Sequence, residues 1–134
     1  MKHEVVKQIA FCYGHRLMDY EGKCRHPHGH NGLAEIAVSA EGLDARGMVV
    51  DFGEIKAGVK GWIDEHLDHQ MLLRRDDPLV ELLGNLGEPL HVMEDNPTAE
   101  NIAREIFLAA RAAGLAVTRV TLWETPDSNA TYRG

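Results

Sequence analysis

Four of the chain's eight histidines fall between positions 15 and 30, a clustering that neither core packing nor surface filling explains. His28 and His30 are two residues apart, so on an extended backbone their imidazoles point the same way. His15 closes a preceding extended run, and a hairpin-like pairing can set it opposite them. Three neutral imidazoles suit Zn2+ and leave a fourth position open for water or substrate, the mark of a catalytic site. Zinc held there can polarise a carbonyl or alkoxide oxygen. Iron and nickel also accept nitrogen donors, and a solvent-exposed His-Pro-His-Gly-His loop can take up metal adventitiously. His26 reads as a spare, exposed imidazole.

Three further groups can handle protons or charge. Cys24 lies four residues before His28 and is flanked by Lys23 and Arg25, surroundings that favour a thiolate able to act as a general base. The alternative is a loop cysteine without a role. Cys12 lies inside a strand with nothing reactive adjacent in sequence and is assigned to packing. Asp68 can orient His69 only if the preceding helix ends near Leu67, because adjacent helical residues do not face one another. Otherwise the pair is an ordinary helix C-terminus. Glu124 extends the apolar side of a strand that carries Val120 and Leu122, where an unpaired charge is costly. A ligand with two parallel N–H groups, such as the edge of a pterin or guanine, would compensate it. So would Arg119, Arg133 or a partner subunit.

The elements that position these groups follow from periodicity. Residues 3–13 alternate as a strand with odd positions inward, and residues 17–29 read as a loop. A second strand covers 30–40, with Ala34, Ile36, Val38 and Ala40 on one face, and a short strand is expected at 48–50. Asp51 starts an amphipathic helix carrying Phe52, Ile55, Val59, Trp62, Ile63 and His66. Residues 70–97 are less regular, with a short helix around 78–83. Asn96 or Thr98 caps a second clear helix, whose stripe is Ala99, Ile102, Ala103, Ile106, Phe107 and Ala110 and whose stop is Gly114. Strands at 115–125 and around 130–132 complete the chain. The expected fold class is α+β, an antiparallel four-stranded sheet with two helices on one face.

The 134 residues suit one domain, 1–134, and the 44% hydrophobic share excludes a disordered chain. A net charge of −7 speaks against a nucleic-acid partner, and no apolar run approaches the ~20 residues of a membrane span. Two cysteines and no export signal fit a reducing, cytoplasmic setting.

Seven segments occur in the order of one known family: Phe11-Cys12-Tyr13-Gly14-His15-Arg16-Leu17, Gly22-Lys23-Cys24, His28-Gly29-His30-Asn31, Gly47-Met48-Val49-Val50-Asp51-Phe52, Leu67-Asp68-His69, Pro97-Thr98-Ala99-Glu100-Asn101 and Glu124-Thr125. Together they resemble the 6-pyruvoyl-tetrahydropterin synthase family, most of all its bacterial 6-carboxy-tetrahydropterin synthase branch. The resemblance implies the tunnelling fold, in which trimers close their sheets into a barrel and stack as a hexamer, with active sites at subunit interfaces. It implies zinc on His15, His28 and His30, proton handling by Cys24, Asp68 and His69, and a pterin ring anchored by Glu124 beside Thr98. The implied substrate is 7,8-dihydroneopterin triphosphate, whose triphosphate Arg16, Lys23 and Arg25 could offset. The rival readings are a 6-pyruvoyl product, a non-catalytic pterin- or guanine-binding oligomer and a zinc-stabilised structural subunit. The chain departs from the family pattern in three places: Gly32 stands where relatives often carry a larger or aromatic residue, Cys12-Tyr13-Gly14 replaces small residues, and 70–97 is longer.

Overall fold

A computed structural model describes all 134 residues. The first strand, β1 (His3–His15), pairs antiparallel with β2 (His28–Ala40) along its whole length, from His3 opposite Ala40 to His15 opposite His28. The alternation seen in sequence dictates the faces. Ile9, Phe11, Tyr13 and His15 of β1 and Ala34, Ile36 and Val38 of β2 are buried on the same side.

Helix α1 (Phe52–His66) begins where Asp51 accepts the Gly53 N–H, and it buries Ile55, Val59 and Ile63. Phe52, which the periodicity places on the apolar stripe, is 53% exposed because it precedes the turn that first meets the sheet. Helix α3 (Ala99–Ala112) is capped by Thr98, whose hydroxyl oxygen accepts the Asn101 N–H, and it buries Ile102, Ala103, Ile106, Phe107 and Ala110. It ends at Gly114, whose φ of +90° few other residues adopt. Both helices pack into one core with β1, β2 and β5 (Val117–Thr125), and β6 (Ser128–Tyr132) closes that side of the sheet.

The fold class is the expected α+β, with two long helices and the short one expected around 78–83, but the sheet has six strands rather than four. The difference lies in residues 70–97. Gln70–Arg74 forms β3, Leu79–Asn85 forms α2 and Leu90–Met93 forms β4. β3 runs parallel to β1 and β4 parallel to β3, giving the order β4-β3-β1-β2-β5-β6. Strands this short offer too few alternations to stand out from a loop. Residues 48–50, expected as a strand, form a bend that leads into the Asp51 cap. No helix is long and apolar enough to cross a membrane.

Candidate metal centre and active site

The β1–β2 register builds the centre. His15 lies directly opposite His28, and Tyr13 opposite His30. Two cross-strand rows therefore deliver three imidazoles to one spot, with ring centroids 4.5, 5.1 and 4.9 Å apart. One ligand nitrogen from each ring lies within 4.8 Å of the other two. Nε2 of His15 is 3.0 Å from Nε2 of His28, and Nε2 of His30 is buried with no hydrogen-bond partner.

The second nitrogens fix the tautomers. His15 Nδ1 is 2.7 Å from the Pro97 carbonyl oxygen, and His28 Nδ1 is 2.7 Å from the His26 carbonyl oxygen. A carbonyl can only accept, so both rings carry their proton on Nδ1 and turn a lone pair outward on Nε2. Two lone pairs 3.0 Å apart repel unless a proton or a cation lies between them. Burial pulls His15 below the ordinary imidazole range, against the Pro97 carbonyl, and His28 depresses it further. Burial likewise lowers His30, with Glu124 opposing and His28 adding. Imidazoles that resist protonation while their free nitrogens converge are a donor set made for a metal ion, and the residues fit one with three nitrogen ligands.

Glu124 stands at the same centre. β5 neighbours β2, and its Oε1 is 3.2 Å from Nε2 of His15 and 3.3 Å from Nε2 of His30. Its side chain keeps 26% exposure, so the carboxylate faces both the imidazoles and an opening to solvent. Arg119 does not neutralise it: that guanidinium bonds Glu4 at 2.8 Å.

The loops around His15 are tied to it. Asn96 brackets Met18 by two hydrogen bonds of 2.9 and 2.8 Å, which brings the segment before α3 against the end of β1 and presents the Pro97 carbonyl. Thr98, one residue on, spends its hydroxyl oxygen on the α3 cap at 3.2 Å.

A second cluster forms where α1 ends. Leu67 is its last cap residue, and His69 takes a φ of +60°, which turns it back beside Asp68. His69 Nδ1 donates to Asp68 Oδ2 at 2.9 Å, and Asp68 Oδ1 accepts the Cys12 N–H at 3.0 Å. That Cys12 N–H bond is the main force holding the Asp68 carboxyl below its ordinary range, with His69 contributing. The His69 N–H in turn donates to the Cys12 carbonyl at 2.7 Å. Cys12, Asp68 and His69 thus offer ligand or proton-transfer atoms within 4.8 Å of one another.

Cys12, assigned to packing from its sequence neighbours, also meets Asp68 through its backbone N–H, a contact that spans 56 positions and leaves no local signal. Cys24 sits half-buried on a 3-10 turn, Lys23–Arg25, where its carbonyl accepts the Leu17 N–H at 2.8 Å. It belongs to neither cluster of its own chain. Arg16 is not free to meet a phosphate: its guanidinium is bonded to the buried Asp77 carboxylate, which leaves Lys23 and Arg25 exposed beside Cys24.

The chain matches the family profile described as 6-pyruvoyl tetrahydropterin synthase over residues 4–134. A protein of Rickettsia bellii named 6-carboxy-5,6,7,8-tetrahydropterin synthase is 39% identical over 128 residues, covering 90% of this chain and 93% of the relative. Among solved structures, an uncharacterized protein from Wolinella succinogenes superposes with a TM-score of 0.86 at 28% identity, over 98% of both chains. Caenorhabditis elegans 6-pyruvoyl tetrahydropterin synthase shares the fold with a TM-score of 0.73 at 23% identity, over 98% of this chain and 95% of its own. The chain belongs to the 6-pyruvoyl tetrahydropterin synthase family, an enzyme family.

Proposed function

We propose that this protein is a zinc-dependent lyase that converts 7,8-dihydroneopterin triphosphate to 6-carboxy-5,6,7,8-tetrahydropterin, releasing triphosphate and acetaldehyde, on a cytoplasmic route to 7-deazaguanine bases. The observation that carries this reading is the meeting of three imidazole nitrogens with the Glu124 carboxylate at one partly open spot. Relatives named 6-carboxy-5,6,7,8-tetrahydropterin synthase support the choice of product.

His15, His28 and His30 hold the metal. Zinc, when bound, supplies a Lewis acid that acidifies the carbon-bound hydrogens next to an oxygen it polarises. Glu124 accepts the paired N–H groups of the pterin edge and so orients the side chain toward the imidazoles. Thr98 lies beside the ring. Asp68 fixes the tautomer of His69, which exchanges protons with solvent through its 77% exposed ring. Cys24 is the thiol base, and Lys23 and Arg25 offset the triphosphate. Because Cys24 stands apart from Asp68 and His69 within one chain, their joint action calls for a second protomer. The active form is accordingly a homo-oligomer, a trimer or a dimer of trimers.

The test is direct. Purified protein is incubated with 7,8-dihydroneopterin triphosphate, with and without a chelator, and every product is identified by mass. The reading expects acetaldehyde and the 6-carboxy product, both lost on chelation. Triphosphate loss without acetaldehyde would instead assign the 6-pyruvoyl product, and no turnover in the zinc-loaded protein would leave a pterin-binding oligomer.

A further inference from the structure

Sulfur, nitrogen and oxygen donors converge at the end of α1, outside the three-imidazole centre. Cys12 of β1, Asp68 and His69 each offer a ligand atom, and these atoms all lie within 4.8 Å of one another. A tetrahedral ion with ligands at ~2.0–2.3 Å holds them roughly 3.3–3.8 Å apart, so the three atoms need close by no more than about 1.5 Å.

The backbone is already fixed for that closure. The His69 N–H donates to the Cys12 carbonyl at 2.7 Å, and the Cys12 N–H donates to Asp68 Oδ1 at 3.0 Å. These two bonds tie the junction after α1 to β1, so closure falls to side chains alone. They have the freedom for it: the His69 side chain is 77% exposed and that of Asp68 30%, and Cys12 is half-buried. A cavity of about 640 Å³, whose lining includes Cys12, His69, Gln70 and Glu88, opens over the cluster. It gives an ion a way in and leaves room for water to complete the coordination.

The donor chemistry selects the ion. Magnesium and calcium take oxygen ligands, whereas a thiolate with an imidazole and a carboxylate suits zinc and its neighbours. As the ion binds, the Cys12 thiol proton leaves to solvent. A neutral imidazole has a single ring lone pair, so once His69 gives it to the ion that ring can no longer accept a proton. The site must also be the weaker of the two. Its ligands move to meet the ion, while the lone pairs of the three-imidazole centre already converge.

We propose that Cys12, Asp68 and His69 form a second metal site, weaker than the three-imidazole centre, which takes a thiophilic divalent ion of the zinc class and, when filled, blocks the lone pair through which His69 exchanges protons. Metal binding here rests on the geometry of this chain alone. Inhibition by the second ion rests on the proposed function.

The experiment titrates metal-free, fully reduced, full-length protein with cobalt(II). Thiolate ligation gives a sulfur-to-cobalt charge-transfer band in the near ultraviolet, which three imidazoles cannot give. The first equivalent per chain is expected to enter the imidazoles without that band, and the band should grow and saturate with the second. Cys12→Ser should lose the band and the second equivalent and keep the first. Cys24→Ser should keep the band and both equivalents. His69→Gln, a change at an exposed ring, should weaken the second equivalent at least tenfold, no less than the loss of an outer-shell partner does, and leave the first as it was.

The proposal is overturned if saturating cobalt produces no sulfur band, if the band survives Cys12→Ser, or if it disappears in Cys24→Ser. An unchanged second affinity in a folded His69→Gln chain overturns it independently. In the turnover assay, zinc beyond one equivalent per chain should abolish the activity of the parent reversibly, and the residual rate of Cys12→Ser should not respond. A parent rate indifferent to the second ion overturns the inhibitory role. A parent that takes up cobalt as expected but turns over no dihydroneopterin triphosphate removes the proposed function and leaves the second site standing.

Discussion

Each imidazole of the centre uses its ring differently, and that sets what its loss does. His15 is the deepest, at 1% exposure, and is anchored through Nδ1 to Pro97. His15→Ala should abolish zinc binding and also soften the fold by roughly 2–4 kcal/mol, since it empties a buried site. His30→Ala, whose side chain is 17% exposed, should abolish zinc binding with a smaller loss of stability. Zinc content of the purified variants and their melting temperatures check both. Asp77 gives a pH prediction. Burial raises its carboxyl, but the Arg16 guanidinium and the Leu79 N–H outweigh burial and hold it below the ordinary value. A carboxyl lowered on folding contributes stability that is complete above the unfolded value near pH 4 and is lost as the pH falls through the folded value. Asp77→Asn should therefore destabilise the chain at pH 7 by about 3 kcal/mol, as one broken buried ion pair does. The variant and parent should converge in strong acid, as denaturant melts at pH 7 and pH 2.5 would show.

At the scale of elements, the junction after α1 and the start of α3 matter most. His69 holds a φ of +60° that costs a non-glycine residue roughly 1–2 kcal/mol. His69→Gly should raise stability by about 1 kcal/mol while turnover of dihydroneopterin triphosphate falls at least a hundredfold, a trade in keeping with strain held at a functional site. A variant both less stable and fully active would contradict the role given to that ring. Thr98 caps α3, and its proposed place beside the ligand can be tested separately. Thr98→Ala removes the α3 cap and should cost about 1 kcal/mol, whereas Thr98→Ser keeps it. A KM that rises in the alanine variant and recovers in the serine variant would place the hydroxyl beside the ligand as well.

The same elements show what a sequence can carry. The period-2 pattern of β1 and β2 put His15, His28 and His30 on one face, and that of β5 put Glu124 with Val120 and Leu122, because each inference needed only local alternation. The ending of α1 at Leu67 met the condition for Asp68 to orient His69. What local pattern could not carry was pairing between distant segments. The parallel strands β3 and β4, the Cys12–Asp68 contact and the ion pair that occupies Arg16 all depend on partners outside the local sequence window. Gly32 and Tyr13 are two separate departures in the sequence, and only the fold brings the Tyr13 ring to within 2.9 Å of where a Gly32 Cβ would lie.

For the whole molecule, the sheet ends in two unpaired edges, β4 and β6, and α1 and α3 pack on one of its faces. Open edges invite pairing with another chain. Sedimentation of the purified protein should give three or six times the chain mass of 14.9 kDa. Mixing Cys24→Ala with His69→Ala protein, each inactive alone, should restore part of the turnover if sites combine residues of two protomers. A monomer with full activity would contradict that arrangement.

The contact between Pro97 and His15 joins two stretches that a chain of this length could easily have left independent. Its acceptor immediately precedes the first turn of α3, so the hinge of a helix also serves as the brake on an imidazole's rotation. By reciprocity, any change that frays that turn loosens the grip on the ion, and loading the ion slows hydrogen exchange in amides that never touch it.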